Sequence, residues 1–191
     1  MLAPPIPPML ARIADVLPPE GNVLYEPKWD GFRALVFRSS RSLSLQSRDL
    51  KPLDRYFPEL HASLLKAIPN SCVLDGEIVI ATQDGLDFDA LQMRLHPAAT
   101  RVARLAATTP ASFVAFDLLA LGRHDLRARP QSDRRAQLED LLQDAKPPLY
   151  LTPMTRERRL ALEWLEQFEG AGLDGVIAKP ANAPYHPGKR A

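Results

Sequence analysis

Four short segments carry residues whose types and spacing could do chemistry. In Glu26-Pro27-Lys28-Trp29-Asp30-Gly31-Phe32-Arg33, a lysine stands at a strand end beside an Asp-Gly turn, with an arginine five residues on. Its amine is a candidate for catalysis, although Asp-Gly is also a common hairpin turn and a lysine near one is often simply solvated. In Leu74-Asp75-Gly76-Glu77-Ile78-Val79, two carboxylates interrupt an apolar run. Strand alternation puts Asp75 and Glu77 on one face, where they converge, and charges in such a run are costly unless they bind something. In Phe113-Val114-Ala115-Phe116-Asp117-Leu118-Leu119, the aromatic spacing on its own favours core. An aromatic beside an acid at a strand's end can also be a stacking platform for a base. In Leu173-Asp174-Gly175-Val176-Ile177-Ala178-Lys179-Pro180, an Asp-Gly pair opens an apolar strand that ends in a lysine. The carboxylate could cap a turn or ligate Mg²⁺, a hard cation that prefers oxygen donors and phosphate partners. Strict alternation puts Asp174 and Lys179 on opposite faces.

These segments need elements to hold them. Leu10–Val16 reads as a short helix stopped by Pro18-Pro19. Asn22–Glu26 and Phe32–Arg38 read as strands; in the second, Phe32, Ala34 and Val36 alternate with Arg33, Leu35 and Phe37. Ser42–Ser47 follows as a strand with Leu43 and Leu45 on one face. Pro58 opens a helix in which Leu60, Leu64 and Ile68 share a side, closed by Pro69. Cys72–Ile80 and Ser112–Leu119 are apolar strands. Between them Asp87 is placed to cap a short helix carrying Phe88, Leu91 and Leu95. Ser132 or Asp133 is expected to cap a helix that buries Leu138, Leu141 and Leu142. Thr155 is expected to cap the last helix, with Ala161, Trp164, Leu165 and Phe168 at helical spacing and Gly170 at its end. Leu173–Lys179 is the final strand. Strands and helices mix without regular β-α-β alternation, which predicts an α+β fold on antiparallel sheets flanked by helices.

Composition narrows the class. At 191 residues, 46% hydrophobic and 25% charged, the chain has the make-up of one globular domain with a real core. It contains no run of about 18 apolar residues, and its proline-rich start lacks the charged head and apolar centre of a signal peptide. One cysteine, Cys72, excludes an internal disulfide framework and a cysteine-based zinc cluster. These features predict a cytoplasmic, membrane-free protein and a monomer. The net charge of +1 provides no bulk attraction to nucleic acid. Arg33, Arg38, Arg41, Arg48 and Lys51 do cluster in one stretch, as a solvated face or a phosphate-binding surface.

Each motif is modest, but their order and spacing together resemble the covalent nucleotidyltransferases: ATP-dependent DNA ligases, RNA ligases and mRNA capping enzymes. Lys28-Trp29-Asp30-Gly31 with Arg33 matches motif I, Lys-x-Asp-Gly-x-Arg, and Ser47-Arg48 is similar to motif Ia. Asp75-Gly76-Glu77 is similar to motif III, Phe113–Leu119 to motif IIIa and Asp174–Lys179 to motif IV. The first and third of these most resemble the compact bacterial DNA ligases of end-joining and repair. Two departures stand out. Motif IV usually opens with Glu, and Asp174 is about one methylene shorter. The Trp-x-Lys-x-Lys motif V and the oligonucleotide-binding-fold domain that follow in the family do not appear by Ala191, so residues 1–191 are expected to be the adenylation domain alone.

The resemblance implies an ATP-grasp-like nucleotidyltransferase domain and three steps. Lys28 attacks the ATP α-phosphate to give lysyl-AMP and pyrophosphate. AMP then passes to the 5′-phosphate of nicked double-stranded DNA, and the 3′-hydroxyl displaces it. A free lysine has a pKa of about 10.4, so its amine must lose a proton before attacking; nearby cations or burial favour that. By the same resemblance, Asp174 binds Mg²⁺ or Mn²⁺ and Lys179 approaches the phosphates. Glu77 and Arg33 bond the two ribose hydroxyls, and Phe116 stacks on adenine. Glu26 or its backbone reads the exocyclic amine, and Arg48 grips the nick's 5′-phosphate. Asp30 shapes the motif I turn. Two rivals remain: an RNA ligase or GTP-using capping enzyme, and a non-catalytic nick- or nucleotide-binding module.

Overall fold

The computed structural model describes residues 2–68, 71–167 and 173–191. In chain order the elements are β1 (Val23–Trp29), β2 (Phe32–Arg38), β3 (Leu43–Ser47), α1 (Pro58–Ala67), β4 (Cys72–Val79), β5 (Ala81–Thr82) and β6 (Gly85–Leu86). Then follow α2 (Phe88–Met93), α3 (Ala99–Thr108), β7 (Ser112–Leu121), β8 (His124–Asp125), α4 (Gln131–Leu142), β9 (Leu149–Leu151), α5 (Arg158–Gln167) and β10 (Leu173–Pro180). The main sheet runs β3-β2-β4-β7-β8, antiparallel throughout, and β9 adds to β7 in parallel. β1 and β10 form a separate antiparallel pair. The α+β class and antiparallel sheets expected from the sequence are both present.

Alternation along β2 sorts the core. Ala34 and Val36 enter a large cluster with Leu60 and Leu64 of α1, Leu138 of α4, and Leu74 and Ile78 of β4. Leu35 and Phe37 point the other way and join Val73, Leu119, Ile6 and Tyr185. The second face therefore packs under the chain's two terminal segments, while helices cover the first. Asp87 caps α2 as expected, its Oδ1 accepting the Ala90 N–H at 2.8 Å. Cys72 is buried and free, and burial pushes its thiol up to about 12.

Several expectations fail for identifiable reasons. Leu10–Val16 is not helical, because Leu10 pairs as an extended residue with Arg190, its N–H donating to the Lys189 carbonyl at 2.8 Å. Leu95 is half exposed rather than packed. Neither Ser132 nor Asp133 caps α4: the helix starts after Pro130, and the Ser132 N–H donates instead to the Ala181 carbonyl. Thr155 accepts the Glu157 N–H at 3.0 Å, just ahead of α5, while its backbone pairs with Tyr25. Pro69, Phe168 and Gly170 lie outside the described residues. Helix α3 was not anticipated. Among the described residues, no helix is long and apolar enough to cross a membrane.

Candidate active site

The Asp30-Gly31 step does not turn a hairpin. It carries the chain from β1, in the small sheet, to β2, in the main sheet, so the motif stands where the two sheets meet. Gly31 is required there because a Cβ would strike the Ile78 carbonyl of β4. Glu26 and Lys28 share one face of β1 by alternation. Opposite them, Pro27 pairs with Val176 but Trp29 pairs with Leu173, so β10 spends one extra residue across from Lys28. This β-bulge, with Gly175 at φ +131°, flips the parity of β10. Asp174 and Lys179 thus reach the same side, contrary to strict alternation. Lys28 Nζ donates to Asp174 Oδ2 at 2.6 Å, and Lys179 Nζ donates to Glu26 Oε2 at 2.6 Å and to the Phe116 carbonyl at 3.1 Å.

A second bulge lies in the main sheet. Asp75 pairs with Asp117 and Gly76 with Ala115, which leaves Phe116 unpaired on β7. Phe113 and Ala115 face the large core cluster, so alternation sends the Phe116 ring to the other side of the sheet, that of Arg33: Arg33 Cζ sits 4.5 Å and Lys179 Nζ 4.9 Å from the ring centroid. The ring is therefore a partly exposed platform contacted by two cations.

Asp75 and Glu77 do share a face, but they behave differently. Asp75 is fully buried and takes a bidentate bond from Arg33, Nε to Oδ1 at 2.6 Å and NH2 to Oδ2 at 2.7 Å. Arg33 NH2 also donates to the Met9 carbonyl at 3.2 Å. Among the described residues NH1 has no protein partner, so its two donors remain for a ligand. Burial pushes the Glu77 carboxyl up to about 8, reinforced by Asp75 and Asp30 and opposed by Arg33 and Lys28. Burial also raises the Glu26 carboxyl, with Lys179 and Arg135 pulling it back. Asp30 is raised by burial and then by Asp174.

Sequence reasoning missed Asp75 as a partner of Arg33, and it missed the arginines of α4. Arg135 is buried, donating to Glu26 Oε1 at 3.3 Å and to the Thr152 carbonyl at 2.9 Å. Arg134 forms a bidentate pair with Asp117 at 2.8 and 2.9 Å. The available signal was weak: two arginines one turn ahead of Leu138 on a helix with only three leucines. Arg48 is not drawn into this cluster. It is exposed in the turn one step past the Ala34–Ser47 pair, at the sheet end beside Arg33, with no hydrogen bond or ion pair to another described residue.

Two sheets thus meet at a lysine, with a carboxylate–guanidinium pair and an aromatic platform beside it. The fold superposes over 97% of the chain on a mycobacterial DNA ligase D complexed with ATP and MES, at TM-score 0.79 and 28% identity, covering 57% of that chain. It matches the ligase domain of M. tuberculosis LigD equally well, at TM-score 0.79 and 29% identity over 97% of this chain and 58% of that one. The family described as ATP dependent DNA ligase domain matches residues 4–191, and the chain belongs to it. DNA ligase C2 of Mycolicibacterium smegmatis is 55% identical over 187 residues, 98% of this chain and 52% of its own length. DNA ligase C of Mycobacterium tuberculosis is 53% identical over 191 residues, 98% of this chain and 53% of its own. The chain spans about half the length of these curated relatives.

Proposed function

We propose that this chain is the adenylating part of an ATP-dependent DNA ligase of the bacterial end-joining and repair type, and that Lys28 is its nucleophile. The observation that carries this reading is the position of Lys28 Nζ, fixed 2.6 Å from Asp174 at the sheet junction. The Arg33–Phe116 platform and Glu77 lie on the adjoining strands.

The chemistry follows from the groups present. ATP lies with adenine on Phe116 and its exocyclic amine toward Glu26 or the Glu26 backbone. The ribose hydroxyls reach Glu77 and the free NH1 of Arg33. Lys28 Nζ, released from Asp174 and deprotonated, attacks the α-phosphorus. One N–P bond forms, the α–β P–O bond breaks, pyrophosphate leaves with that bond's electron pair, and the new N–P nitrogen gives its extra proton to solvent. Lys179, already at the platform, offers its remaining N–H toward the phosphates. The donor set near Lys28 suits a hard cation: Asp174 is half exposed with Asp30 close by, and Mg²⁺ or Mn²⁺ is commonly held by one or two carboxylates plus substrate phosphates. Such an ion would neutralise phosphate charge and occupy the carboxylate that holds Lys28. Arg48, free and exposed at the sheet end, would grip the 5′-phosphate of nicked duplex DNA, which takes AMP from Lys28 before the 3′-hydroxyl displaces it.

The test is a nucleotide and nick panel. The protein should transfer label from ATP, and not from GTP, to the 5′-phosphate of a DNA nick. Label taken only from GTP, or passed only to RNA nicks, would overturn the assignment in favour of a capping enzyme or RNA ligase.

A further inference from the structure

Behind the platform lies a closed ring of polar contacts that the chemistry above does not use. Arg33 donates to both oxygens of Asp75 and to the Met9 carbonyl. The Tyr185 hydroxyl donates to Asp75 Oδ2 at 2.6 Å and accepts the Met9 N–H at 2.8 Å. Four elements close on one another here: β2, β4, the N-terminal segment and the C-terminal segment. Asp75 and Tyr185 are buried, whereas the Arg33 side chain is 23% exposed and rests on Phe116.

We propose that Tyr185 is a positioning residue for nucleotide loading, acting through Asp75 and Met9 to fix the Arg33 guanidinium on Phe116. This rests on the adenylation reading above. Two of the three guanidinium nitrogens are spoken for by Asp75 and Met9, so the plane of the third, NH1, is set by how firmly those partners are held. Tyr185 holds both: it occupies Asp75 Oδ2 alongside Arg33, and it is the acceptor for the N–H of the residue whose carbonyl Arg33 also binds. Without the hydroxyl, a backbone N–H in a confined place loses its acceptor, and the carbonyl on the same residue is freed to move. Burial and the Asp75 carboxylate both raise the Tyr185 hydroxyl pKa, so it keeps the proton it donates.

The C-terminal segment has other anchors. The Tyr185 N–H donates to the Arg127 carbonyl at 2.8 Å, Arg134 NH1 to the Ala183 carbonyl at 3.2 Å, and the Ser132 N–H to the Ala181 carbonyl at 2.9 Å. Tyr185→Phe therefore removes the hydroxyl while leaving the segment docked.

The experiment measures lysyl-AMP formation against ATP concentration in four proteins: parent, Tyr185→Phe, Arg33→Ala and the double variant. Tyr185→Phe should raise the ATP concentration for half-maximal rate about tenfold, as expected for loosening one charge-assisted contact. The maximal rate should stay within about threefold of the parent. In the Arg33→Ala background, Tyr185→Phe should add nothing, because its effect passes through Arg33. Equal effects in both backgrounds, or none in either, overturn the proposal. If Tyr185→Phe does not melt cooperatively, Met9→Pro, which deletes the N–H that the Tyr185 hydroxyl accepts, takes its place with the same expected pattern and the same overturning result. A parent that never acquires AMP overturns the adenylation reading and this inference with it. A parent that loads AMP on Lys28 but shows additive effects overturns this inference alone.

Discussion

Asp174→Asn separates two roles that the 2.6 Å contact with Lys28 leaves superposed. The side chains are 44% and 51% exposed, so the pair is a surface ion pair. Such pairs contribute about 0–1 kcal/mol to stability. In a chain of this size a loss of 1 kcal/mol lowers Tm by about 2–4 °C. Asparagine keeps the shape, so that range is an upper bound. The effect on chemistry should be far larger. Removing one well-placed charge-stabilising group costs about 10²–10³ in rate, and in the proposed mechanism Asp174 would carry the cation to the phosphates. The two roles also differ in sign. If Asp174 only restrains Lys28, the substitution frees the amine, and adenylation holds or speeds up. If Asp174 works through a divalent cation, adenylation slows about 100-fold and its Mg²⁺ dependence shifts to higher concentration. Rapid-quench measurement of lysyl-AMP over a Mg²⁺ series, beside a thermal melt, reads both. An unchanged Mg²⁺ dependence, or a faster rate, would refute the reasoning.

Three further outcomes follow from particular contacts. Phe116→Ala should weaken ATP binding roughly 5- to 150-fold, the value of one base-stacking contact, as read by calorimetry; unchanged affinity in a folded variant would return the ring to the core. Glu77 has its carboxyl raised from 4.5 to about 8, so the folded state holds a proton there that the unfolded state gives up. That contribution to stability is present below pH 4.5 and is lost as pH climbs through 8, amounting to a few kcal/mol at most on the order of the linkage relation. Urea melts of the parent should therefore lose more stability between pH 5.5 and 8.5 than those of Glu77→Gln, and parallel losses would refute the shift. Arg134→Met leaves Asp117 as an unpaired buried carboxylate and should cost about 3–5 kcal/mol in chemical denaturation, well beyond the loss from Asp174→Asn.

Much of the site was legible because its residues sit on regular strands with clear alternation. β2 carries Arg33 on one face and Ala34 on the other, and β4 places Asp75 and Glu77 together, as period two requires. The misses have physical causes. Two of the three bulges lie at the site, opposite Lys28 and at Phe116, the third falling at Leu119, and parity arguments assume a regular ladder. That is why Lys179 stood apart from Asp174 in sequence; Phe116 read as core because its strand carries apolar residues on both faces. The Asp-Gly step looked like a hairpin because local sequence does not say that its two strands belong to different sheets. Arg134 and Arg135 look solvated on a helix until their buried partners Asp117 and Glu26 are seen, more than a dozen residues away in each case. Leu10–Val16 carries an apolar pattern, but pairing with the C-terminal segment decides its conformation. Helix α3 buries only Val102 and Ala106, too sparse a stripe to announce itself.

The central claim is that Lys28 takes AMP from ATP. Intact-mass measurement after incubation with ATP and Mg²⁺, followed by peptide mapping, tests it directly. The protein should gain one AMP, lose it in acid as a phosphoramidate does, and carry it on the peptide containing Lys28, while Lys28→Ala should gain nothing. An adduct that persists in Lys28→Ala, or an AMP mapped to any other residue, would contradict the account.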